Sequence, residues 1–187
     1  MPSPETLNKR ILLPLLASIV AITPLAIDLY LPAMLVIAND LQTTMPNVQI
    51  SLSIYLAGYA LGMLFFGPIA DELGRRLLAK VGLALFGISS LALAFCTNIE
   101  LFWSLRAVQA FTGAAATVVV PGIIRHIYRE NTAKGMSYVS MIMMVAPLIA
   151  PTLGSLIMGI STWQVIFIAL AAYSFNILAL VQLHLFY

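Results

Sequence analysis

Long apolar runs follow one another along nearly the whole chain, parted only by short polar turns, and no other feature constrains the fold as tightly. A run of about 20 apolar residues is what an α-helix needs to cross the hydrocarbon core of a bilayer. Six such runs are read at residues 11–37, 48–69, 77–96, 101–124, 135–159 and 163–184. None of them alternates polar with apolar side chains, so helices are predicted rather than the strands of a barrel. In lipid the backbone must satisfy its own hydrogen bonds, which points to an all-α bundle. Charged residues are only 9% of the chain, far below the roughly 25% of an ordinary soluble domain. No soluble domain fits between the runs, and residues 1–187 are expected to form a single transmembrane six-helix domain. The first run is too long for a signal-peptide core, carries Asp28 and the prolines Pro14, Pro24 and Pro32, and lacks a small-residue cleavage site. It is expected to be a retained span.

The same composition excludes several function classes. A net charge of +2 spread over short loops offers no basic face or aromatic interleaving for a phosphate backbone, so nucleic acid is not an expected partner. An intramembrane enzyme needs a nucleophile and base, or metal ligands, at membrane depth. The sequence has no His-Glu-x-x-His, and its two histidines, His126 and His184, both fall near span ends. No catalytic residue, metal or cofactor is expected. Cys96, the one cysteine, cannot form an internal disulfide and reads as a small buried hydrophobe.

Positive charges assign the orientation. Lys9 and Arg10 precede the first span, Arg75, Arg76 and Lys80 lie between the second and third, and Arg125, Arg129 and Lys134 lie between the fourth and fifth. The alternate loops have neither Lys nor Arg. Both termini and the loop around residue 74 are therefore expected in the cytoplasm. Trp103 and Trp163 fall at the opposite ends of their spans, where indole rings sit at headgroup level.

Two charges then stand inside spans, Asp28 and Arg106. A charge at the bilayer centre costs at least ~2.5–3.5 kcal/mol, so each is expected to face a partner or a water-filled cavity. At ~1.5 Å per residue, Arg106 lies roughly 8 Å and Asp28 roughly 12–15 Å from the outer surface, close enough to neutralise each other. The pair reads either as a static ion pair or as a titratable, substrate-facing site. Pro24 and Pro32 flank Asp28, so the helix is expected to bend around it. Ala146, Ala150 and Gly154 recur every four residues beside Pro147 and Pro151, a small-residue face on a helix expected to kink. Gly58 and Gly62 form a similar stripe whose plainer reading is close packing.

The one dense charge cluster is Gly67-Pro-Ile-Ala-Asp71-Glu-Leu-Gly74-Arg75-Arg76. Gly67 and Gly74 are expected to bracket a tight turn. Asp71 and Glu72 precede Arg75 and Arg76 by about one helical turn, a spacing that lets acid and base pair. The segment reads as a cytoplasmic gate or as a solvated loop whose arginines fix topology.

This ten-residue segment resembles the loop 2–3 signature of the major facilitator superfamily. Leu105-Arg106-Ala-Val-Gln109-Ala-Phe-Thr-Gly113 is similar to the span 4 motif of its proton-driven exporters, whose arginine is associated with proton transfer. Ala146 to Gly154 resembles their antiporter motif, with Ala150-Pro151 where a glycine pair is usual. Asp28-Leu-Tyr30-Leu-Pro32-Ala-Met34 is similar to the Asp-x-Tyr-x-Pro segment of the Bcr/CflA drug-resistance branch. The resemblance implies the N-terminal six-helix half, a 3+3 inverted repeat, of a transporter that exchanges small drug-like compounds for protons across a bacterial inner membrane. It implies that Asp28 and Arg106 couple protons to substrate, that Gly67, Asp71, Gly74, Arg75 and Arg76 form a cytoplasmic gate, and that the segment from Ala146 to Gly154 flexes or seals. Tyr30, Pro32, Met34, Tyr55, Gln109 and Gly113 are then possible cavity liners. Two-half transporters need twelve helices, so the C-terminal half is expected to be absent from these 187 residues, or replaced by a homodimer partner. The alternative expectation is a membrane subunit that does not transport and whose helices only pack on another protein.

Overall fold

Pro32 cannot donate to the carbonyl of residue 28, and its ring would collide with that carbonyl in a continuous helix. The first helix stops there. The computed structural model describes residues 4–184, without the side chains of residues 4–11, 71, 127 and 184, and in it α1 spans Pro4–Asp28. A single 3-10 turn at Leu31–Ala33 follows, and then the short α2 at Met34–Asp40. The expected bend around Asp28 is thus a true break.

The remaining elements follow local stop and start signals. Helix α3 covers Met45–Glu72, with Pro46 in its first turn where a missing N–H costs nothing. Gly74 turns the chain with φ 85°, a left-handed conformation that a side chain disfavours, and α4 covers Arg75–Ala94. Helix α5, Ile99–Thr117, is capped by the Asn98 side chain, which accepts from the Leu101 N–H at 2.8 Å. Pro121 marks the offset between α5 and α6, Val120–Tyr128. A 3-10 turn leads into α7, Thr132–Ile160, and α8 covers Trp163–His184.

Six stretches are long and apolar enough to cross a membrane: Leu12–Asp40, Met45–Ala70, Arg75–Ala94, Ile99–His126, Arg129–Ile160 and Trp163–Leu183. Each falls on one expected run, with ends moved by a few residues. One expectation is corrected. Gly67 lies inside α3 with open space around it, so the turn belongs to Gly74 alone. One glycine in a long apolar helix costs about 1 kcal/mol, too little to end it. Helix α7 holds Pro147 and Pro151 within one element.

Helix α5 is the hub, packed against α3, α4 and α1, while α4 also packs on α8, and α1 on α7 and α8. The Gly58 and Gly62 stripe serves this packing: a Cβ at Gly58 would lie 2.9 Å from the Ala107 carbonyl oxygen and one at Gly62 2.8 Å from that of Phe111. Burial is uneven. The most apolar windows of the first and fourth spans are 61% buried, those of the second and fifth only 22% and 17%.

Candidate functional site

Arg106, about two turns into α5, is 0% exposed. Its guanidinium carbon lies 4.4 Å from the ring centre of Tyr30 and 4.5 Å from that of Tyr55, so two tyrosine faces cover the cation. Such contacts stabilise a desolvated cation by ~2 kcal/mol or more. Nη1 donates to the Ala26 carbonyl at 3.0 Å and to Gln109 Oε1 at 2.7 Å. Hydrogen bonds to a charged group contribute about 1.5–3 kcal/mol each, so rings and acceptors together offset the insertion cost.

These partners are themselves fixed. Gln109, one turn along the same face of α5, donates through Nε2 to Ser90 Oγ at 2.8 Å, and the Ser90 hydroxyl donates to the Phe86 carbonyl at 2.7 Å. The Ser51 hydroxyl donates to the Val48 carbonyl at 2.6 Å, which leaves Tyr30 as the donor in its 3.0 Å bond to Ser51. Tyr30 also packs on Phe102 and Phe167. Spans one to four thus contribute to a single polar layer.

The layer is not fully satisfied. In it the Tyr55 and Thr23 hydroxyls face each other, but Arg106 Nε and Nη2 are buried without a hydrogen-bond partner. Each such atom costs about 1–3 kcal/mol, and a concentration of them marks a site kept for something other than stability.

Asp28 is the main departure from expectation. It ends α1, half-buried, and among the described residues no ion pair joins it to Arg106. Counting along spans gives depth but not the direction in which a side chain leaves its helix. The break turns the Ala26 carbonyl, not the Asp28 carboxylate, towards the guanidinium. Gly154 of α7 meets the other side of this segment. A Cβ there would run into the Leu29 carbonyl oxygen. Ala150 is buried on the same face, Ala146 is half-buried, and Pro147 is exposed.

The expected cavity liners divide. Tyr30, Tyr55 and Gln109 surround Arg106, and Gly113 lies further along its helix face, where a Cβ would sit 3.1 Å from the Phe86 ring. Met34 is buried in the apolar core, and Pro32 is exposed on the 3-10 turn. Trp163 is 1% exposed rather than lying at a headgroup surface. Its Nε1–H donates to Asp40 Oδ2 at 2.6 Å, and its ring packs edge-on against Phe102 and Phe167. Trp103, half-buried, donates to the Asn47 carbonyl at 2.8 Å.

At the other end of the bundle, Asp71 and Glu72 close α3 while Arg75 and Arg76 open α4; the Asp71 side chain lies outside the described residues. Arg75 extends over α6, where a Cβ on Gly122 would lie 2.6 Å from its guanidinium carbon. Arg76 is exposed. Nothing in the residue pattern marks Gly122 or Ser90. Thr23 is marked, as a lone polar residue between Ser18 and Asp28 in an apolar run.

The model of the Major Facilitator Superfamily matches residues 16–187. The chain belongs to that superfamily. Among curated relatives of this superfamily chain, a bicyclomycin resistance protein homolog of Haemophilus influenzae is 35% identical over 77% of the chain and 36% of its own length. The uncharacterized MFS-type transporter YdgK of Bacillus subtilis is 36% identical over 95% of the chain and 45% of its own length. Multidrug resistance protein MdtL of Salmonella newport is 36% identical over 83% of the chain and 40% of its own length. The chain spans less than half the length of these curated relatives. Six apolar helices and this membership make it a multi-pass membrane protein of a transporter family.

Proposed function

We propose that this chain supplies the proton- and substrate-facing half of a drug efflux transporter in a bacterial inner membrane, with both termini cytoplasmic. It exchanges small drug-like compounds, bicyclomycin-like ones among them, for protons. The observation that carries this reading is Arg106, a fully buried cation beside Tyr30 and Tyr55 and near a helix break that ends at Asp28, which forms no ion pair with it. A static structural pair would join the two charges; here they stay separate. Asp28 takes up and releases the proton, and Arg106 sets how readily it does so through the Ala26 carbonyl and the fold of the break. Gly67, Asp71, Gly74, Arg75 and Arg76 form the cytoplasmic gate, and the Ala146 to Gly154 face of α7 moves against the break as access alternates. The relatives named for bicyclomycin and multidrug resistance support the substrate class.

A second reading is favoured by the poor coverage of α3 and α7, at 22% and 17% of their windows. In it the chain does not transport alone, and those faces pack on a further six-helix body, a second half or a second copy. Reconstitution into vesicles with a pH gradient separates the two readings. Drug-dependent proton flux from the wild type, lost in Asp28→Asn and Arg106→Ala, supports coupled efflux; unchanged flux in both variants refutes the coupling assignment. No flux from the wild type refutes transport by the chain alone and favours the second reading.

A further inference from the structure

The unpartnered atoms of Arg106 are not a random pair. Nη1 is the nitrogen used by Ala26 and Gln109, which leaves Nε and Nη2. The Nε–H and the nearer Nη2–H point the same way from one edge of the guanidinium plane, the side-on fork that matches two oxygens on one carbon or nitrogen. The tyrosine ring centres lie 4.4 and 4.5 Å from the guanidinium carbon. The Tyr55 and Thr23 hydroxyls, buried beside this edge, face each other. Thr23 lies one helical turn before Ala26 on α1, so its hydroxyl belongs to the same level of the bundle. Among the described residues no carboxylate forms an ion pair with Arg106.

We propose that the Nε/Nη2 edge of Arg106 is the seat of a planar two-oxygen acceptor, a carboxylate or its nitro analogue, carried by a transported compound. The proposal rests on the reading that Arg106 faces the transport path, and it adds a substrate class: compounds with an aromatic or apolar body and a flat acceptor head. The nearest apolar surfaces for such a body are the rings of Tyr30, Tyr55 and Phe167, whose centres lie 4.4, 4.5 and 6.0 Å from the guanidinium carbon. The same chemistry has one internal source, the Asp28 carboxylate, and the test distinguishes the two.

The probes are benzoate and its uncharged isostere benzamide, titrated into the purified 187-residue chain in lipid nanodiscs and followed by calorimetry. Benzoate is expected to bind at least tenfold more tightly than benzamide. Arg106→Lys, which keeps the charge but loses the fork, is expected to reduce that preference to twofold or less, and Asp28→Asn to keep the tenfold preference for benzoate over benzamide. The Arg106 Nε–H resonance of the wild type, which needs no variant to fold, is expected to shift with benzoate and not with benzamide. Equal affinity for the two probes, or an unmoved Nε–H resonance, overturns the proposal. A tenfold gain in benzoate affinity in Asp28→Asn also overturns it, by assigning the edge to Asp28. Failure of the seat is separable from failure of the transport reading: if benzoate does not bind while Arg106→Ala still abolishes drug-dependent flux, only the seat is lost.

Discussion

Gly154→Ala sets two effects of known size against each other. Replacing glycine by alanine inside a helix stabilises it by up to about 1 kcal/mol. At residue 154, however, the added methyl runs into the Leu29 carbonyl oxygen, a backbone atom that no rotamer change can move. Relief requires α7 to withdraw from the α1 break by roughly an ångström, and overpacking of this kind costs about 1–3 kcal/mol. The clash outweighs the helix gain, and a net loss of up to about 2 kcal/mol is expected, a factor of up to roughly 30 in the folded-to-unfolded ratio. Gly159→Ala is the internal control, since a Cβ there meets nothing within 4 Å. It lies near the end of α7 and is expected to be neutral or to stabilise by a few tenths of a kcal/mol. Equilibrium unfolding of both variants in mixed micelles, followed by far-UV circular dichroism, reads the difference directly. If Gly154→Ala is as stable as Gly159→Ala, the close approach of α7 to Leu29 is wrong, and with it the idea that α7 braces the break.

Three further outcomes are expected. Gly74→Ala forces a side chain into the left-handed region at φ 85° and is expected to lower stability by about 1–2 kcal/mol in the same unfolding assay, whereas Gly67→Ala, inside α3 with open surroundings, is expected to cost nothing. Trp163→Phe keeps the ring packing but removes the donor to Asp40, and is expected to cost about 1–2 kcal/mol; Asp40→Ala in the Trp163→Phe background should then add little, as a double-mutant cycle will show. Cys96 lies in the α4–α5 connection, and burial pushes its thiol up to about 11. The reactive thiolate is therefore scarce at pH 7, about one part in ten thousand, and maleimide labelling of the native chain is expected to be slow and to speed up as pH rises or on unfolding.

The six helices were legible because apolar length is a one-dimensional signal and the bilayer sets the length required. The break at Asp28 was legible for a similar reason, since Pro32 acts on the carbonyl four residues before it whatever the rest of the fold does. The relation of Asp28 to Arg106 was not. It depends on how α1 and α5 are rotated about their own axes, and residue counting fixes depth alone. Gln109 could be placed beside Arg106 by its three-residue spacing on one helix face, but Ser90 comes from α4 and carries no mark that separates it from Ser89. Gly67 misled because a glycine near a charged cluster suggests a turn, while only Gly74 has the positive φ that demands one.

The segment from Ala26 to Asp40 is held from three sides, and that arrangement bears on how Asp28 can influence the rest of the bundle. Arg106 of α5 takes the Ala26 carbonyl, Gly154 of α7 presses on the Leu29 carbonyl, and Trp163 of α8 donates to Asp40. The two carbonyls flank Asp28 at distances of two residues and one, so a different helix grips the backbone on each side of the carboxylate. A proline-interrupted stretch has few internal hydrogen bonds to resist reorientation, and here Leu29 N–H to Leu25, Ala33 N–H to Tyr30 and Met34 N–H to Leu31 bridge the turn. Its conformation is therefore set by the helices that hold it. A change of charge at Asp28 cannot be absorbed locally without altering the contact with Arg106 on one side or with Gly154 on the other, and α7, the least covered of the spans, is the one with room to respond.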